Sequence, residues 1–249
     1  MSGHNRWSKI KHKKEASDSK KSKMWTKVIR ELTISARLGG GDPSGNPRLR
    51  TAVDKARDVN MSNDTIDRAI KKGSGDLEGV QYEEFTYEVF GPGGTGILVE
   101  ILTDNRNRSV SEVRNIITHN HGNLGASGSV SHMFRKLGQI VYDKAAVEED
   151  KVTDAAIELG ADDVRAEGDS FVVVTEPREF ERVRAGLEKL GLPKPLHAEV
   201  SMVPQNVVHL EGKEAVNAAK LVAALEDSDD VQNVYSNMDI DESVLESAG

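Results

Sequence analysis

The sequence contains no cysteine. That excludes a disulfide framework, a thiolate metal site and a cysteine nucleophile. No apolar run approaches the roughly 18 residues that a membrane-spanning helix needs. The first residues have no apolar stretch of the secretory kind. They are Lys-rich rather than Arg- and Ser-rich, unlike an organelle transit peptide, and run directly into a patterned helix. A cytoplasmic protein is expected. Two catalytic signatures are missing as well: there is no Gly-Lys-Ser/Thr of a nucleotide P-loop and no GxSxG elbow. No catalytic residues are assigned and no enzyme is expected. The chain of 249 residues is long enough for two or three domains and a sizeable core.

What the sequence does have is an uneven distribution of charge. The whole chain carries 33 Lys/Arg and 41 Asp/Glu, a net charge of −8. Residues 1–75 hold 18 Lys/Arg and 8 Asp/Glu, a local +10, which leaves 15 against 33, or −18, for residues 76–249. A basic head on an acidic body points to a polyanion bound at one end, and nucleic acid fits because Lys and Arg neutralise phosphates and release counterions. The density is highest at the start, where residues 1–30 hold ten Lys/Arg and two acids. Arg6, Lys9, Lys11, Lys13 and Lys14 interleave with Trp7, Ile10 and His12. The basic side chains suit phosphates, and Trp7 suits a base or sugar. The other reading is a solvated Lys-rich tail that Trp7 staples to a nearby helix.

Apolar spacing and caps give the expected elements. Residues 18–73 read as three helices: one from Asp18 to Gly39 with Met24, Trp25, Val28, Ile29 and Leu32 inward, one opened by the Asn46–Pro47 pair, and one capped by Ser62. On the first, Lys20, Lys21, Lys23, Lys27 and Arg30 are expected mostly on the wet side. The stretch 73–81 reads as a linker. From residue 83 the period changes to that of strands, at 84–90 and 96–103. A helix capped by Ser109 is expected to follow. Residues 138–204 read as βαββαβ, the ferredoxin-like order, with a hairpin at Gly168–Asp169. Residues 205–240 add a short strand, a helix at 213–226 and a last strand. Neither 82–136 nor 205–240 makes a full layered domain alone, so the two are expected to combine around an insertion. The expected architecture is α+β: a basic helical domain over 1–78, a discontinuous α/β domain over 79–137 plus 205–249, and a ferredoxin-like domain over 138–204 inserted into it.

Three local patterns call for weighing. Gly91-Pro92-Gly93-Gly94-Thr95-Gly96 matches GxGxxG, but the dinucleotide fingerprint needs a helix after it and here a strand follows. It reads as a hairpin turn, and no cofactor is expected. His119, His121 and His132 do not share a helix face or bring carboxylates at ligand spacing, so no metal is expected. The acidic runs at 226–230 and 239–242 read as solvated charge, with weak Mg²⁺ affinity the minor alternative. Arg106, Arg108 and Arg114 surround the start of a helix. They suit either an anion or partner contact, or pairing with the acidic body.

The motifs GHNRWSKIKHKK, TKVIREL with GGGDPSGNPRLR, RAIKKGSG, FGPGG, TDNRNR with SEVR, and GNLGASGSVSHMF resemble the YebC/PmpR family in register along nearly the whole chain. Departures are local: Ser62 follows Met61 where the family often has proline, and His121 and His132 replace a common glycine and aromatic. The resemblance implies a helical head followed by two α/β domains, the third inserted into the second. It implies a cytoplasmic, non-enzymatic regulator of gene expression. Family members are described as DNA-binding transcriptional regulators, and relatives as translational activators or ribosome-associated factors that ease difficult peptide-bond formation. The expected phosphate-gripping set is Arg6, Lys9, Lys11, Lys13, Lys14, Lys20, Lys21, Lys23 and Lys27, helped by Trp7 and His12 and extended by Arg48 and Arg50. DNA and ribosomal RNA both remain open as the partner. A protein-interaction adaptor is the rival of another class, and it would keep its partners after nuclease treatment. No membrane or small-molecule partner is expected. Scattered small apolar faces fit a monomer.

Overall fold

The structure is a computed structural model that describes residues 18–75, 81–241 and 244, with side chains from residue 22 onward. Contacts divide the chain into two compact units: residues 133–206, and the remainder of the described chain on either side of them.

The larger unit begins with three helices, α1 (Asp18–Gly39), α2 (Pro47–Asp58) and α3 (Asn63–Ser74). Their apolar stripes meet in one core of Val28, Leu32, Leu49, Ala52, Val53, Ala56, Ile66 and Ala69. The caps follow from the sequence. Asn46 accepts from the Leu49 amide at 3.1 Å, and Pro47 opens α2 where no amide is needed. Asn46 also donates to the carbonyls of Ser35 at 2.8 Å and Gly40 at 2.9 Å, which ties the Gly-rich loop to the end of α1. Ser62 caps α3, and Gly75 closes it in the left-handed conformation. Trp25 donates to the Val59 carbonyl at 3.1 Å and anchors α1 over the end of α2. Gly73 lets α1 and α3 cross closely, because a Cβ there would lie 2.2 Å from the Thr33 carbonyl oxygen.

The same unit continues with an antiparallel sheet in the order β3-β1-β2-β9, built from β1 (Glu83–Phe90), β2 (Gly96–Thr103), β3 (Asn123–Leu124) and β9 (Val231–Ser236). Helices α4 (Arg106–His119) and α7 (Gly212–Asp227) pack on one face around Val89, Ile97, Val99, Ile101, Val113, Ile117, Leu221 and Leu225. Two short parallel strands, β8 (Val208–His209) and β10 (Met238–Asp239), complete it. Segments on both sides of residues 133–206 therefore build one sheet and one core.

Residues 133–206 contain β4 (Phe134–Asp143), α5 (Glu149–Glu158), β5 (Asp163–Glu167), β6 (Ser170–Thr175), α6 (Phe180–Lys189) and β7 (His197–Pro204). The strand order β5-β6-β4-β7, all antiparallel, is the ferredoxin-like arrangement. Alternation sends Ile140, Tyr142, Phe171 and Val173 toward the two helices and Leu137, Val141, Val172, Val174 and Val203 to the other face. The strand β4 starts ahead of the expected Gly138, because Phe134–Leu137 pair with the end of β7.

Candidate nucleic-acid interface

The basic face of α1 is the part of the expected interface that the structure describes most fully, and from residue 23 to residue 30 its cations are paired with other parts of the fold. Lys23 Nζ lies 2.7 Å from the Asp227 carboxylate and 3.1 Å from the Asp227 carbonyl. Lys27 Nζ donates to the Glu226 carbonyl at 2.6 Å, and the Lys27 carbonyl accepts from Gln232 at 3.4 Å. Arg30 reaches the Asp229 carbonyl and lies 2.9 Å from Asp230. Positions 23, 27 and 30 recur at helical spacing, so one stripe of α1 runs along the end of α7 and the start of β9. The reason is local to α7. The last carbonyls of a helix have no partner within it, and its C-terminal end carries partial negative charge. Cations from α1 supply both the hydrogen bonds and the charge. The expectation of a solvated side is corrected for Lys27 and Arg30, which are half-buried, whereas the Lys23 side chain stays partly exposed in its pair with Asp227.

The acidic run at 226–230 is likewise not wholly solvated. The Asp230 side chain is 3% exposed. It takes hydrogen bonds from Ser109 at 2.5 Å and Thr103 at 3.1 Å, and pairs with Arg108 at 2.9 Å. Burial opposes its ionisation, but the bonds from Ser109 and Arg108 and the charges of Arg30 and Arg108 outweigh it and hold the carboxyl below the usual range. Ser109 is therefore a buried partner of Asp230 rather than a helix cap. Asn105 takes that role, accepting from the Arg108 amide at 3.1 Å. Arg108 is committed to Asp230 and, at 2.8 Å, to Asp104. Arg106 lies 3.4 Å from Glu83 and 4.4 Å over the ring of Phe85. Arg114 is exposed on α4.

Arg48 and Arg50, expected to extend the footprint, also have internal work. Arg48 grips Glu31 at 2.7 and 3.0 Å and Glu84 at 3.1 Å, so it joins α1, α2 and β1. Partial burial works against its charge, while Glu31 and Glu84 more than compensate and raise its affinity for the proton. Arg50 closes the Gly-rich loop by donating to the carbonyls of Pro43 at 3.2 Å and Ser44 at 2.9 Å. Arg6, Trp7, Lys9, Lys11, His12, Lys13 and Lys14 lie outside the described residues, as do the side chains of Lys20 and Lys21. Exposed cations of the helical head outside the expected set include Arg68, Lys71 and Lys72 on α3. The available signal was their place opposite Ile66, Ala69 and Ile70.

The remaining motifs have structural explanations. Gly91–Gly96 forms the β1–β2 hairpin through a 3₁₀ turn at Pro92–Gly94, with Gly93 and Gly94 at φ of 67° and 76°. His119 contacts the Asn115 carbonyl at 2.9 Å and His132 that of Gly128 at 3.2 Å. Among the described residues no group of three His, Asp or Glu side chains is placed to hold a metal. No described helix is long and apolar enough to cross a membrane. In the GNLGASGSVS segment, the Glu88 carboxylate accepts from the amides of Gly128 at 2.7 Å, Val130 at 2.5 Å and Ser131 at 2.9 Å.

Comparison with known proteins places this geometry in a family. The TACO1/YebC protein N-terminal domain matches residues 5–76, and the TACO1/YebC second and third domain matches residues 82–238. A probable transcriptional regulatory protein of Geotalea uraniireducens is 58% identical over 246 residues, covering 99% of both chains. Proteins with the same description in Citrifermentans bemidjiense and Geobacter sulfurreducens are 56% and 55% identical over the same length, each covering 99% of both chains. The crystal structure of a conserved hypothetical protein from Aquifex aeolicus is similar with a TM-score of 0.80 and 44% identity, over 90% of this chain and 92% of that one. The three-helix head, the discontinuous sheet and the ferredoxin-like unit thus come with matches along the whole chain, which belongs to the TACO1/YebC family.

Proposed function

We propose that this protein is a non-enzymatic regulator of gene expression that binds nucleic acid through its basic N-terminal region, with DNA as the leading partner. The observation that carries the reading is the charge partition, +10 over residues 1–75 against −18 over the rest. The description of close relatives as probable transcriptional regulatory proteins supports it. In this reading residues 1–78 bind, with the arm from Arg6 to Lys14 as the main grip. Lys20 and Lys21 continue it on α1. The acidic domains over 79–137 plus 205–249 and over 138–204 are not part of the phosphate grip and are open to contact with protein. Phosphate contacts position a protein without reading sequence, so base readout would have to come from elsewhere.

Ribosomal RNA is the second reading. The exposed cations of α3, Arg68, Lys71 and Lys72, stand among the acids Asp64 and Asp67. That helix shows no clear base-reading set of Asn, Gln or Arg, and a Lys-rich arm without a major-groove reader suits ribosomal RNA as well as duplex DNA. Sedimentation of a lysate through sucrose at low and high salt, with and without RNase, separates the two. Association with the nucleoid that DNase removes supports the DNA-binding regulator. Salt- and RNase-sensitive travel with ribosomal particles replaces it with a translation factor. Partners that survive both nucleases point to a protein adaptor.

A further inference from the structure

We infer that Lys23, at the exposed end of the α1 stripe of Lys23, Lys27 and Arg30, binds phosphate, that the protein covers it with Asp227 of its own acidic turn at 226–230, and that nucleic acid displaces this outer part of the cover. The inference rests on the phosphate-binding reading above. The three cations lie on one stripe of α1, the helix that also carries Lys20 and Lys21. The turn offers them what a phosphate offers, namely charged and carbonyl oxygens held close together. Asp227 supplies a carboxylate and a carbonyl, Glu226 and Asp229 supply carbonyls, and Asp230 supplies a carboxylate.

The two ends of this cover differ. At the inner end Arg30 and Asp230 have side chains only 13% and 3% exposed. Asp230 is held there by Ser109, Thr103 and Arg108 as well. Separating a buried, hydrogen-bonded pair leaves uncompensated charge, so this end stays closed. At the outer end Lys23 and Asp227 are 39% and 63% exposed. An exposed pair contributes little and is screened by salt. A nucleic-acid phosphate offers Lys23 the same charge together with counterion release. Lys23 therefore exchanges Asp227 for phosphate while Arg30 stays in place, and Asp227 lowers the affinity of the protein for nucleic acid.

The test compares full-length wild type, Asp227→Asn, Lys23→Ala and the double variant, titrated across a salt series with a labelled DNA duplex and, separately, an RNA hairpin. Asp227→Asn removes one exposed carboxylate and keeps the carbonyl contacts of the turn. It should bind the preferred nucleic acid more tightly, by up to about fivefold at low salt. On B-DNA its plot of log affinity against log salt should steepen by up to about 0.9. Asp227→Asn should give no gain in the Lys23→Ala background, and the nucleic acid that shows the gain identifies the source of the phosphate. An unchanged affinity with both probes overturns the cover. So does an equal gain in the Lys23→Ala background, which would be a general charge effect. If wild type binds neither probe, the phosphate-binding reading itself fails and the cover with it. Binding by wild type without an effect of Asp227→Asn removes the cover alone.

Discussion

At the scale of single residues, the cations of this protein divide by what they touch rather than by how basic their neighbourhood is. Arg48 sits in a basic motif, PRLR, yet its guanidinium is held by Glu31 and Glu84. Arg48→Ala should lower stability by roughly 1 kcal/mol, since the network is partly exposed. Arg48→Lys should recover only part of that, because an ammonium cannot reproduce the planar fork. Neither change should alter the salt dependence of nucleic-acid binding, so thermal melts and a salt titration together test the assignment. Asp230 makes a sharper prediction. Its folded carboxyl ionises below the ordinary value of 3.8. The unfolded chain therefore binds the extra proton first as pH falls, and the stability Asp230 contributes is full above that value and lost as pH drops through the folded one. Asp230→Asn should cost on the order of 3 kcal/mol near neutral pH, by leaving Arg30 and Arg108 without their carboxylate. It should also flatten the acid side of a plot of melting temperature against pH. A parallel fall for variant and wild type would show that Asp230 is not the group responsible.

At the scale of elements, close approach decides where substitutions are tolerated. Gly73 is on α3 with Thr33 and Ala36 of α1 directly above it. Alanine is the better helix former by about 1 kcal/mol. A Cβ at Gly73 would nevertheless lie 2.2 Å from a backbone oxygen and 2.8 Å from the Ala36 Cβ, so the helices must separate. Gly73→Ala should be net destabilising, by about 1–3 kcal/mol, in urea unfolding followed by helical circular dichroism. The elements themselves were legible because their signals are local. Asn46–Pro47 and Ser62 announce helix starts, strand alternation announces β1, and the order βαββαβ announces the ferredoxin-like sheet. The docked stripe of α1 was not legible. A helical period separates apolar from polar positions, but cannot say whether a polar position meets water or the end of another helix. The partners of Lys23 and Lys27 lie 204 and 199 residues away in sequence. The same distance hid the role of Ser109, whose partner Asp230 is 121 residues on. Its place near a helix start suggested a cap that Asn105 provides instead.

At the scale of the whole molecule, the charge partition and the internal pairing must be reconciled. The +10 of residues 1–75 is a count of sequence charges, and part of that charge is neutralised within the fold. Lys23, Arg30 and Arg48 each face a carboxylate. Among the groups expected to bind phosphate, the arm residues should then dominate the salt dependence. Replacing Lys9, Lys11, Lys13 and Lys14 together by alanine should remove up to four phosphate contacts. On B-DNA that would make the slope of log affinity against log salt less negative by as much as about 3.6. The loss should be similar on unrelated sequences, because backbone contacts position and do not specify. The paired replacement of Arg48 and Arg50, also inside the basic head, should leave the slope near the wild-type value while lowering the melting temperature. If the two sets change the slope equally, affinity follows the total charge of the head, and the internal pairs open on binding. A change confined to the arm set would locate the electrostatic grip in Lys9, Lys11, Lys13 and Lys14 rather than in the total charge of the head.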